Sequence, residues 1–104
     1  MQPLRERLEA LLAQNGETAL LRFSLGMACL EPAPHAAVSH FERAVALDPD
    51  YSAAWKQLGR AYCACSDPSA AAGAYRQGIE VAARRGDIQA AKEMRVFLKR
   101  VERS

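Results

Sequence analysis

Apolar residues recur three and four positions apart along most of the chain, and Gly, Pro or Asp interrupts them at intervals. That pattern is the signature of amphipathic helices joined by turns. It predicts six helical segments. The first runs from about Pro3 to Gln14, with Leu4, Leu8, Leu11 and Leu12 on one stripe and Asn15-Gly16 as the stop. The second runs from about Glu17 to Leu30 and ends before Pro32. Pro34 opens the third, which carries Ala37, Phe41, Ala44 and Val45 and ends at Leu47. Asp50 is the expected N-cap of the fourth, Tyr51 to about Cys65. Asp67 caps the fifth with Pro68 in its first turn, where a missing N–H costs nothing. The fifth ends near Arg85-Gly86, and Asp87 caps a sixth that turns Ile88, Ala91, Met94, Leu98 and Val101 to the core. Short connections make consecutive helices antiparallel neighbours.

The central segments repeat. Ala37, Phe41 and Ala44 match Ala71, Tyr75 and Gly78 at an offset of 34, and Leu25, Gly26 and Ala28 match Leu58, Gly59 and Ala61 at 33. The missing residue falls in the turn around Glu31-Pro32-Ala33-Pro34. Gly26 and Gly59 are expected where the two helices of a hairpin cross, letting the backbones approach. Ala37, Ala44, Ala71 and Gly78 supply small residues opposite, and Phe41 and Tyr75 are the knobs between them. Neither hairpin buries its apolar faces alone, and stacking them makes one core.

The stretch from Asp48 to Tyr62 resembles a tetratricopeptide repeat boundary. Trp55, Leu58, Gly59 and Tyr62 match the first-helix signature, and Ala71, Tyr75 and Gly78 the small-large-small pattern of the second helix. Pro49 matches the proline that closes a repeat. The earlier repeat departs from the pattern, with Arg22 at the tryptophan position and Cys29 at the tyrosine position; Ala83 stands near the second closing proline. The resemblance covers about Glu17 to Arg84 and implies an all-α helical-hairpin superhelix of two repeats. Residues 1–16 would form an N-terminal capping helix, 17–49 and 50–86 the repeats, and 87–104 a C-terminal solvating helix. The chain as a whole resembles short stand-alone bacterial proteins of this family.

Composition leaves this picture intact. The chain has 104 residues, room for one domain with a modest core. Roughly a fifth are alanine, the strongest helix former. A formal charge of +2 does not call for nucleic acid or an acidic membrane. No apolar run is long enough to span a bilayer, and charges among the leucines of the first segment break any signal-peptide core. A cytoplasmic protein with reduced thiols is expected, since Cys29, Cys63 and Cys65 form no disulfide framework. Arg84-Arg85 and the sixth-segment cations Lys92, Arg95, Lys99, Arg100 and Arg103 read as a solvated face, favourable to the helix dipole near its C-terminus.

Catalytic chemistry finds no constellation. His35 and His40 stand at no metal-ligand spacing, Cys63-x-Cys65 is not the redox spacing, and the glycines are isolated rather than grouped in a phosphate loop. No enzyme activity, metal or cofactor is expected.

The resemblance implies protein binding through a concave groove lined by the first helix of each repeat. By position that groove presents Leu20, Phe23, Ser24, Met27 and Leu30 from the first repeat, and Ala53, Lys56, Gln57, Arg60 and Cys63 from the second. Leu20 and Leu30 fit equally well as core beneath the flanking helices. Phe23 and Met27 offer an adaptable apolar floor. Lys56 and Arg60, one turn apart, could hold a carboxylate, so the expected ligand is a mixed apolar and acidic peptide. The family's clamp for chaperone C-termini needs Lys and Asn where Phe23 and Met27 stand, which removes that ligand. Self-assembly into a homo-oligomeric scaffold through the groove or an uncovered end is the alternative.

Overall fold

The computed structural model describes residues 3–103; Met1, Gln2 and Ser104, at the outer ends of the two expected capping segments, lie outside the described residues. It contains six helices: α1 Pro3–Asn15, α2 Ala19–Cys29, α3 Pro34–Leu47, α4 Ser52–Ala64, α5 Pro68–Arg84 and α6 Ile88–Glu102. Helices adjacent in sequence pack on one another, and α6 also reaches back to α4.

The turns carry local signals. Gly16 stands at φ +78° after α1, and its N–H donates to Leu12 O at 3.1 Å. At the end of α5, Gly86 takes φ +79° while the Asp87 N–H reaches back to Ala82 O at 2.8 Å. The same closure ends α4, where Ser66 adopts φ 59° and the Asp67 N–H donates to Tyr62 O at 2.9 Å. The Asp67 and Asp87 carboxylates each accept an N–H three residues on, from Ala70 and Ala90, both at 3.2 Å, as expected of N-caps.

Two helix starts differ from the sequence expectation. The second helix, expected from about Glu17, begins at Ala19, with Thr18 as its N-cap accepting the Leu21 N–H at 3.1 Å. Asp50 does not cap α4: the N-cap position is Tyr51, with no side-chain cap. The Asp50 carboxylate instead receives Arg84 at 2.5 Å, and its carbonyl receives Arg85 at 3.0 Å. A charged partner from the end of α5 outcompetes one local N–H. Trp55 completes the brace, donating its Nε1–H to Pro49 O at 2.8 Å.

The core is built on ring-to-glycine contacts rather than on close backbones. A Cβ on Gly26 would lie 2.6 Å from Phe41 Cδ1, and one on Gly59 2.6 Å from Tyr75 Cζ. Where close backbones were expected, each glycine instead makes a seat for the large knob of the next helix. The device recurs once more: Gly78 faces the Met94 thioether, with Trp55 Cβ 3.0 Å from where a Cβ would stand. Phe41, Leu25, Cys29 and Met94 are fully buried, with Ala37, Ala44, Ala54 and Ala61 filling the narrow layers between helices.

The flanking helices depart from expectation in detail. Ile88 is 65% exposed, one residue past the cap of α6, while Ala91 and Met94 are buried and Leu98 and Val101 half-buried. The α1 stripe is only partly covered: Leu8 and Leu12 are half-buried, Leu4 and Leu11 exposed, and no α1 residue is buried.

Candidate partner-binding surface

Counting from the N-cap positions Thr18, Tyr51 and Asp87 sets α2, α4 and α6 in register. Gly26 and Gly59 then coincide, eight residues along, as their shared role requires. Phe23 aligns with Lys56, Met27 with Arg60, and Leu30 with Cys63, so the ten sequence-expected residues fall in corresponding rows on α2 and α4.

On α2 the row is apolar. Leu20 and Met27 are exposed, at 67% and 42%, so Leu20 is not covered by a flanking helix. Phe23, half-buried, stacks in a tilted arrangement on Phe41 and Tyr51, with ring centroids 5.8 and 5.0 Å away. Ser24 donates its hydroxyl to Leu20 O at 2.9 Å. Phe23, Ser24, Met27 and Ala28 line a shallow pocket of about 390 Å³ whose other wall is Leu4 and Leu8 of α1. The sequence reading did not place those two leucines there, because the way α1 lies across α2 is a tertiary fact.

On α4 the row is polar, and part of it is already occupied. Lys56 Nζ pairs with Glu93 Oε1 of α6 at 3.1 Å, above a small hollow that Ala53 also lines. Arg60 is exposed and donates to Gln57 Oε1 at 2.7 Å. Arg60 and Leu30 share a pocket of about 440 Å³ with Glu31, Pro34 and Ala64. Cys63 is exposed and opens on a separate hollow toward Val101. The residues thus divide among several shallow depressions, with Arg60 the cation of the expected pair that does not hold a carboxylate. The same register carries the row onto α6, where Lys92, Val96 and Lys99 align with Lys56, Arg60 and Cys63. The signal for this third row was present in the spacing from Asp87.

A second polar cluster braces the surface from outside. Glu17 receives both Arg43 and Arg22, the latter at 2.7 Å, and these hydrogen bonds hold its carboxyl at about 2. Arg22 also lies 3.0 Å from His40 Nδ1. Burial first, and then the neighbouring Arg22 charge, push the His40 pKa down, and because a guanidinium can only donate, Nδ1 is the acceptor in this contact. Arg22, standing at the signature tryptophan position, therefore ties the start of α2 to α3 by charge instead of by an aromatic ring. Burial raises the Cys29 thiol. Among the described residues no group of three or more His, Cys, Asp or Glu could hold a metal ion, and no helix is long and apolar enough to cross a membrane.

Comparison with known proteins agrees with this architecture. The chain is 46% identical to the TPR repeat-containing protein PA0015 of Pseudomonas aeruginosa over 100 residues, 95% of each chain. It is similar to the solution structure of protein BPP2914 from Bordetella parapertussis, at 44% identity and a TM-score of 0.84, covering 99% of this chain and 90% of that one. A crystal structure of MamA shares the fold at 21% identity and a TM-score of 0.71, covering 95% of this chain and 65% of that one. The tetratricopeptide repeat description matches residues 33–94, both the Phe41 and Tyr75 knobs included. With its glycine-seated hairpins and these relatives, the chain belongs to the tetratricopeptide repeat family, whose helical repeats serve in general as protein–protein interaction modules.

Proposed function

We propose that the protein is a non-catalytic module that binds a partner protein or peptide along the row of α2 and α4. The observation that carries this reading is the open apolar row of Leu20 and Met27 beside the Phe23 pocket, adjoining exposed Arg60. Apolar side chains left open in a contiguous patch mark interaction sites. Met27 can repack around different ligands, and Arg60 can take a carboxylate. The ligand is a segment with an apolar anchor for the α1–α2 pocket and an acidic residue for Arg60. The same reading divides the chain into a capping helix at residues 1–16, repeats at 17–49 and 50–86, and a solvating helix at 87–104. The bacterial sources of two similar proteins support a bacterial setting, and free thiols at Cys29, Cys63 and Cys65 fit its cytoplasm.

The test is retention of proteins from native lysate on wild type and on a Met27→Glu/Arg60→Glu variant of equal helicity. Lys56 is left intact, because reversing it would set two carboxylates together at Glu93. A protein held by wild type and lost by the variant supports the row as the site; equal retention by both overturns it. Self-assembly into a scaffold is the second reading, favoured by exposed Leu4 and Ile88 in the first and last helices. A solution mass above that of one chain that falls on Leu4→Glu or Ile88→Glu would establish it.

A further inference from the structure

The outward face of α6 lies opposite the side that packs on α5, where Ala91 and Met94 are buried. It carries Ile88, Lys92, Arg95, Val96, Lys99 and Arg103, all exposed, with Ile88 at 65% and Val96 at 48%. No acidic residue falls on this stripe. The helix's two glutamates turn elsewhere, Glu93 to Lys56 and Glu102 to Arg76 at 2.8 Å. Among the described residues Lys92, Arg95, Lys99 and Arg103 form no ion pair and no side-chain hydrogen bond. The arginines at 22, 43, 76 and 84 all hold carboxylates. Like charges three and four residues apart weaken a helix, and ordinary surfaces intersperse the two signs. The α6 stripe keeps its cations at 92, 95, 99 and 103 without that relief.

The register explains why the face is open. Arg95 stands eight residues after Asp87, where α2 has Gly26 after Thr18 and α4 has Gly59 after Tyr51. Those glycines seat the knob of the following helix. A guanidinium at the third position leaves no seat for a ring, so stacking of this kind stops and offers charge instead.

We propose that the outward face of α6 docks an acidic amphipathic helix of a partner protein. The occupant lies along α6 with carboxylates against Lys92, Arg95, Lys99 and Arg103 and short apolar side chains over Ile88 and Val96. The four cations span about 17 Å of helix axis, which one straight helix of about three turns matches. Charge complementarity along one axis selects a helix over other anions. The stripe carries no exposed aromatic ring on which bases could stack, and its two aliphatic side chains give a bilayer little to hold.

The test uses the full chain, isotope-labelled for NMR, and a synthetic alanine-based helix of about 18 residues with Glu and Leu spaced to face the stripe. A scrambled peptide of the same composition, phosphatidylserine vesicles and polyuridylate are run beside it. The ordered helix is expected to bind at least about tenfold more tightly than the scramble and to shift signals along residues 88–103. Arg95→Glu/Lys99→Glu should lose that binding with helicity unchanged, as should Lys92→Gln/Arg103→Gln in smaller measure. Met27→Glu/Arg60→Glu should retain it, which separates this face from the row on α2 and α4. Equal binding of ordered and scrambled peptides would overturn the proposal, as would signals on α6 that move with vesicles or polyuridylate and not with the ordered helix.

Discussion

At one end of the array α6 drives a single methionine into the space left by Gly78 and buries Met94 completely. At the other end α1 lays Leu4, Leu8, Leu11 and Leu12 toward α2 and buries none of them. The helix richer in leucine is the one held less deeply. What decides the attachment is whether the facing helix offers a gap, because close packing, and not apolar count, sets the energy of a core contact. The helix of the open pocket is also the one that was never seated.

Truncating the two anchors separates the ends most strongly. Met94→Ala should cost about 2–5 kcal/mol, the range for emptying a buried large side chain, while Leu11→Ala, 43% exposed, should cost about 0.5 kcal/mol. Urea midpoints of the two variants check this. A difference under about 1 kcal/mol would mean that α1 is held as firmly as α6.

A pair of glycines on α5 sharpens the point within one helix. A Cβ at Gly78 crowds Met94 and Trp55, whereas one at Gly73 meets nothing within 4 Å. Gly78→Ala should destabilise by about 1 kcal/mol, overpacking outweighing the gain in helix propensity. Gly73→Ala should stabilise by about 0.5–1 kcal/mol through propensity alone. Opposite shifts in melting temperature are the expected result.

The smallest effect concerns acid and the N-terminal side. The Arg43 and Arg22 hydrogen bonds lower the Glu17 carboxyl from 4.5 to about 2. A carboxylate depressed in the folded state contributes stability above its unfolded pKa and loses it as pH falls through the folded one. Melting temperature should therefore decline as pH drops from 4.5 toward 2, and Glu17→Gln should flatten that part of the curve. An unchanged profile would show that the brace between α2 and α3 carries no weight.

The helix stops at Gly16 and Gly86 and the caps at Asp67 and Asp87 were legible because each rests on residues within a few positions of one another, and the repeat because two segments carry the same internal spacing. Asp50 was misread for the opposite reason. It looks like a cap locally, yet Arg84 and Arg85, more than thirty residues on, claim it. Ile88 has an apolar side chain at helical spacing, but it opens α6 and stands 65% exposed, off the side that buries Ala91 and Met94. In the candidate site, the exposed Leu20 and Met27 on α2 follow from repeat position. The Lys56–Glu93 pair and the Leu4–Leu8 wall depend on how separate hairpins sit together, which no local spacing encodes.

Because the main contacts link helices that follow one another in the chain, with α4 and α6 the exception, very little of the structure waits for a distant segment to arrive. Loops this short cost little entropy to close, and topologies dominated by local contacts fold in microseconds to milliseconds. Phe41 can find Gly26, and Tyr75 can find Gly59, as soon as each hairpin has left the ribosome. Synthesis and folding can proceed at the same pace, hairpin by hairpin, with Met94 following to take its place against Gly78.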